Sequence, residues 1–286
     1  MAGDGRDDAF AGRHRDGRPH PTATVRRVFR LPLTMLALVA LLAGPGSAGA
    51  DAAAQSGAPP VIHLASLEWP PYSGADLPGQ GASIAVVRAA LATQGHRLEV
   101  EFLSWTEAVA QGLDGSSRFH GYLPAYPAPH VKQAHLLTQA IGESPLGFVE
   151  RRSAPLTWTR LEDLRGQRIG VVRGYANGVA FDQAVARGLL DVAPADSDAR
   201  NIRLVTRGEL PLAVIDRRVL EHLISASRRL GDARHVVQFN ARPLDTLTLH
   251  VVLRRTDEGE RIRRLIDRGL RRIDIEAIQA THFARP

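Results

Sequence analysis

From Val61 onward the apolar residues switch between two periods, and that switching constrains the fold more than any other feature. "VIHLAS" (Val61–Ser66) is a short apolar run that reads as a buried strand. "ASIAVVRAALATQG" then places Ile84, Val87 and Leu91 three or four residues apart, on one face of a helix, with Gly95 positioned to stop it. "RLEVEFL" alternates at Leu98, Val100 and Phe102, as a strand with one buried face does, and "TEAVAQGL" reads as a short helix. Strand, helix, strand, helix within about fifty residues is the signature of an α/β sheet.

A second set begins near residue 155. In "TRLEDLRGQRIGVVRG", Thr159 and Glu162 have the spacing of a capping box, and Gly166 permits the turn into the strand "RIGVV". Gly174 ends that strand before the helix "ANGVAFDQAVARG". There follow the expected strands "IRLV" and "LAVID" (Leu212–Asp216), the helix "RRVLEHLISASRRL" and the strand "HVVQF". After Pro243 come a strand "LTLHVVL" and a final helix from Asp257, with Ile262, Leu265, Ile266 and Ile273 on its apolar face. Two such sets predict two lobes. "VERRSAP" (Val149–Pro155) and "NARPLD" (Asn240–Asp245) are polar and proline-marked, so they are the expected crossing points. If the chain crosses twice, residues 61–150 and 244–286 form lobe 1, and residues 151–243 form lobe 2. Ligands of such sheets bind at strand C-termini and helix N-termini, in the crevice between lobes.

The first fifty residues read differently. "LPLTMLALVALLA" (Leu31–Ala43) is an apolar run of about 13 residues, short of the about 20 that a membrane span needs. Arg26, Arg27 and Arg30 precede it, and Ala48 and Ala50 give an A-x-A exit before Asp51. These are the parts of a secretory signal peptide cleaved near Ala50, which predicts a periplasmic protein. "RRVF" also has the form of a twin-arginine signal, and an uncleaved anchor is the alternative. Residues 51–60 would form a short linker. Removing the seven Arg and four Asp of residues 1–50 leaves 29 basic and 26 acidic side chains, a balance of +3. That balance, with no basic tract interleaved with aromatics, argues against a nucleic-acid partner. The absence of cysteine excludes disulfides, thiolate metal sites and thiol nucleophiles. The histidines, among them His14, His20, His63 and His96, are scattered. No metal or cofactor is expected.

Four stretches carry a resemblance. "LEWPPYSG" (Leu67–Gly74), "LPAY" (Leu123–Tyr126), "LEDLRGQRIGVVRGY" (Leu161–Tyr175) and "LAVID" resemble, in order and spacing, the family 3 solute-binding proteins of ABC importers. The resemblance spans roughly residues 61–280. It implies the type II periplasmic-binding-protein fold: α/β, two lobes joined by a double-crossing hinge, closing on a small polar solute. It also implies a monomer that docks an ABC permease in the inner membrane.

The resemblance further implies a set of ligand-binding residues. Trp69 and Tyr72 follow the first strand and Trp105 precedes a helix, where family members place aromatics against the ligand; packing of the loop or core is the plainer reading of each. Pro70 and Pro71 stiffen the first of these loops. Asp216 would pair with an amino group, or cap the next helix, or both. Arg173, Gly174, Tyr175, Ala176 and Asn177 form a strand-to-helix turn that would meet the ligand, mostly through backbone atoms. Amino-acid binders of the family carry an Arg clamp for the α-carboxylate in the loop "YLPAYPAPHVK" (Tyr122–Lys132). Here no Arg lies between Arg118 and Arg151, and His130 and Lys132, the chain's only lysine, are the basic candidates. Lys132 is a point charge and not a planar fork, and a solvated surface position is its plainer reading. Tyr126 would face the cleft. The usual carboxylate clamp is therefore missing.

The leading function is binding without catalysis. A periplasmic sensor feeding a partner is one alternative. A lyase-type enzyme on the same scaffold is another, with Glu68, His130 and Asp216 as acid or base groups.

Overall fold

The computed structural model describes residues 57–226, 230 and 232–283. The expected signal peptide and most of the linker lie outside them. Among the described residues, no helix is long and apolar enough to cross a membrane.

The strands are β1 (Val61–Leu67), β2 (Arg97–Leu103), β3 (Gly121–Ala125), β4 (Leu136–Leu137), β5 (Gly142–Arg151), β6 (Arg168–Val172), β7 (Asp191–Ala195), β8 (Leu212–Asp216), β9 (Val237–Phe239) and β10 (Asp245–Leu253). The helices are α1 (Ala82–Ala92), α2 (Trp105–Leu113), α3 (Pro129–Ala134), α4 (Val179–Ala186), α5 (Asp198–Thr206), α6 (Arg217–Ala226), α7 (Ala233–Val236), α8 (Asp257–Leu270) and α9 (Ile275–Phe283).

β1 sits between β2 and β3, parallel to both, with Ile62 opposite Leu98. α1 makes the crossover from β1 to β2 and buries Ile84, Val87 and Leu91 completely. It packs against α8 and α9. Each fully buried aliphatic side chain of this kind contributes about 1.5–3 kcal/mol. α2 opens with a capping box in which the Ser104 hydroxyl accepts from the Glu107 N–H and the Glu107 carboxylate accepts from Ser104. That box fixes where Trp105 leaves the chain.

β5 and β10 join this part of the sheet to the rest. They pair antiparallel over Gly142–Leu146 and Asp245–Leu249. Beyond that overlap β10 turns to β3 and β4, while β5 turns to β8 and β9. The order along the sheet is β2-β1-β3-β10-β5-β8-β6-β7. The second half is again parallel at its core, with β6 between β7 and β8.

Several expected elements differ. "IRLV" is helical, inside α5, and not a strand. The Ser197 hydroxyl caps this helix at the Arg200 N–H, and Ile202 and Val205, three apart, are both fully buried. A cap is worth about 1 kcal/mol, and the helical spacing lets both side chains reach one core. The start of "HVVQF" belongs to α7, and only Val237–Phe239 are extended. The acid of the capping motif near residue 160 is Asp163, not Glu162: its Oδ2 accepts from the Thr159 and Arg160 amides, and these bonds hold its pKa down to about 2. The final helix is two helices, α8 and α9, and Ile273 lies between them.

Candidate functional site

The two halves of the sheet face each other across a cavity of about 420 Å³. On one side its wall is built from Leu67 at the end of β1 and Trp69 after it, Trp105, Thr106 and Val109 of α2, Tyr122, Pro124 and Ala125 of β3, Tyr126, and His130 at the start of α3. On the other side are Gly174, Tyr175 and Ala176 after β6, and Asp182 of α4. The wall is strongly aromatic. Trp69 meets Tyr126 edge-on at 6.1 Å, and Trp105 meets Tyr122 at 5.6 Å and Tyr175 at 5.9 Å in the same manner.

The turn after β6 is shaped by Gly174, whose φ of +79° is a conformation that favours glycine. Its carbonyl accepts a hydrogen bond of 3.0 Å from the Trp105 indole Nε1. This bond crosses the cavity from α2 to the second half of the sheet. Burial raises the pKa of Tyr122 to about 12 and those of Tyr126 and Tyr175 further still. All three phenols are neutral at physiological pH.

Of the ten residues singled out from sequence, Trp69, Trp105, Tyr126, Gly174 and Tyr175 come together on this wall. The other five lie elsewhere. Tyr72 is fully buried behind Trp69, stacked on it at 4.5 Å. Lys132 is exposed on α3, beside a separate shallow depression with His135, His250 and Glu260. Arg173 is exposed and its Nε lies 3.7 Å from Asp196. Asn177 is buried and supports the turn: its backbone N–H donates to Asp182 Oδ2 at 3.1 Å, and its Nδ2 donates to the Tyr175 carbonyl at 3.3 Å.

Asp216 is also buried, and its carboxylate is taken up by the protein. Oδ1 accepts from the Val219 N–H at 2.9 Å, which caps α6. Oδ2 accepts from the Tyr72 hydroxyl at 2.9 Å and the Ser144 hydroxyl at 2.6 Å. The Ser144 hydroxyl is in turn 2.7 Å from the Tyr126 hydroxyl. Arg218 donates to the Tyr72 hydroxyl at 3.2 Å and to the Glu143 carbonyl at 2.7 Å, with its guanidinium over the Phe283 ring. Burial raises the pKa of Asp216, and these hydrogen bonds oppose the rise.

Two acids escaped the sequence reading. Asp198, the first residue of α5, is buried, and the Trp69 indole is hydrogen-bonded to it. Burial, and then the nearby charge of Asp216, raise its pKa to about 7. Its only sequence signal was a position at a helix start, and the strand before that helix, β7, was itself unrecognised. Asp182 is half-buried, and burial raises its pKa while the Asn177 bonds and the charge of nearby His130 oppose the rise. Among the described residues, no group of three or more acidic, histidine or cysteine side chains could hold a metal ion.

No family model matches the chain, and no curated protein matches it by sequence. Solved structures do match. A histidine kinase sensor domain with similarity to periplasmic binding proteins superposes with a TM-score of 0.66 at 21% identity, over 78% of this chain and 96% of that one. The BvgS VFT2 domain of Bordetella pertussis, as a double mutant, gives 0.63 at 17% identity, over 79% and 93%. An amino acid ABC transporter substrate-binding protein from Streptococcus pneumoniae, bound to L-arginine, gives 0.61 at 11% identity, over 78% and 94%. At these identities the likeness is one of fold: the two-lobed, type II periplasmic-binding-protein fold.

Proposed function

We propose that this protein binds a small solute in the aromatic cavity between two lobes, without catalysis, and delivers it to an ABC permease from the periplasm. The observation that carries this reading is the cavity itself. Its wall is drawn from both halves of the sheet, and Trp105 and Gly174 bond across it. A site divided in this way is complete only when the halves are together, so solute contacts favour closure. The lobes would comprise residues 61–150 with 244–286, and residues 151–243. The β5–β10 pairing is the natural hinge, since both strands pass from one half of the sheet to the other. A cleavable signal peptide ending near Ala50 would deliver the chain to the periplasm.

A sensor role is the second reading. It is favoured by the similarity to a histidine kinase sensor domain, at 21% identity against 11% for the transporter protein. Neighbouring genes for a permease and an ATPase, or instead for a kinase, separate the two roles.

The test is a thermal-shift screen of the purified protein against amino acids, amines, organic acids and short peptides. A solute at about 100 times its Kd adds about 2.7 kcal/mol of stability, which raises the melting temperature by several degrees. A panel in which no solute raises it contradicts the reading.

A further inference from the structure

We propose that the cavity takes a small organic monocation of the quaternary-ammonium type that carries no carboxylate, its charged centre among the rings of Trp69, Trp105, Tyr126 and Tyr175 and Asp182 as counter-charge. This rests on the solute-binding reading and names the solute class of the same site.

The charges on the cavity wall carry the argument. Among the described residues that line it there is no Arg or Lys, and Asp182 is the one carboxylate. Lys132 and Arg173 are both directed elsewhere, and His130, the one basic candidate from sequence that lines the wall, stands near Asp182. A carboxylate-bearing solute would therefore meet no guanidinium or ammonium group, and the one basic side chain on the wall, His130, already faces the charge of Asp182. It would meet aromatic faces, which are electronegative, and a like charge. Asp216, the acid that sequence resemblance assigns to a ligand's amino group, already accepts bonds from Val219, Tyr72 and Ser144.

What remains on the wall attracts a cation. Trp and Tyr faces bind ammonium groups through the ring quadrupole. Asp182 is in no ion pair with Arg or Lys among the described residues, and Asn177 is its one hydrogen-bond donor there, through its backbone N–H at 3.2 Å from Oδ1 and 3.1 Å from Oδ2 and its Nδ2 at 3.5 Å from Oδ1. The Gly174 carbonyl, the obvious backbone acceptor on that side, is engaged by Trp105. A primary ammonium has three N–H donors to satisfy, and Asp182 is the one charged acceptor on the wall. A methylated ammonium has no such requirement and presents methyl groups to the rings.

The test is isothermal titration with three probes: choline; 3,3-dimethylbutan-1-ol, its uncharged carbon isostere; and glycine betaine, which adds a carboxylate. The expected result is that choline binds about tenfold or more tightly than either of the others. Asp182→Asn and Trp105→Leu should each weaken choline about tenfold while leaving the far-ultraviolet circular dichroism unchanged. If Asp182→Asn does not fold, the Trp105 variant carries the comparison. Equal binding of the uncharged alcohol would overturn the proposal, as would glycine betaine binding as tightly as choline. If all three probes fail but another solute of the wider screen binds, the cation class is wrong and the solute-binding reading stands. If nothing in the screen binds, both fall.

Discussion

Asp216, buried behind the cavity wall, and Asp182, on the wall itself, are used in opposite ways. Asp216 ends β8, is buried, and accepts hydrogen bonds from Val219, Tyr72 and Ser144. Asp182 stands on α4, is half-buried, borders the cavity, and is touched by Asn177 alone among the described hydrogen bonds. One carboxylate therefore holds the two halves of the molecule together, and the other remains accessible to a guest. One acid ends a strand and the other stands in the first turn of a helix. Neighbouring hydroxyls decide whether such an acid serves structure or recognition.

The largest expected effect tests the structural side of this contrast. Asp216→Ala removes a helix cap and leaves two buried hydroxyls and an N–H without their acceptor, so unfolding in urea should show a loss of about 4 kcal/mol. Asp182→Ala should cost less than about 1 kcal/mol. Equal losses would erase the distinction.

Asp198 gives the next effect. Its pKa of about 7 in the folded protein exceeds the usual unfolded value of about 3.9, so the folded state binds the proton more tightly. Stability from this group is fully present below about pH 4 and falls as pH rises through about 7. Asp198→Asn keeps the acceptor for Trp69 and removes the titration. The variant should match the parent near pH 4 and exceed it by about 4 kcal/mol at pH 8. A parent–variant difference independent of pH would contradict the assignment.

A smaller effect is expected across the cavity. Trp105→Phe retains a ring but loses the bond to Gly174, worth about 1 kcal/mol, and so should weaken solute binding about fivefold in calorimetry. The smallest is at Lys132. Lys132→Ala should leave both affinity and stability within about 0.5 kcal/mol of the parent, and a tenfold loss of affinity would return the solvated lysine to the site.

The alternating elements were readable in the sequence wherever one period ran uninterrupted, as in β1, α1, β2, β6 and β8. Prolines concealed others. Pro124 lies in β3 where its register with β10 shifts between His250 and Val252. Pro145 lies in β5 where only β10 is paired with it, and Pro194 lies in β7, the edge strand of the sheet. "IRLV" has strand composition, but the cap at Ser197 and the burial of Ile202 and Val205 made it a helix. At the site, Trp69 and Trp105 could be singled out because the family resemblance places pocket aromatics at those positions. The roles of Asp216, Asp182 and Asp198 depend on which groups arrive from Tyr72, Ser144, Asn177 and Trp69, and no local pattern encodes those meetings.

The chain's three tryptophans offer the most direct test. Trp69 and Trp105 border the cavity, whereas Trp158 is buried in another cluster with its indole donating to Asn240 at 3.1 Å. Indole N–H resonances of ¹⁵N-tryptophan-labelled protein, assigned by single substitution, can be followed while a solute from the screen is titrated. The account predicts saturable shifts of the Trp69 and Trp105 signals, with Trp158 stationary. Saturable binding that leaves both cavity indoles unmoved would contradict it.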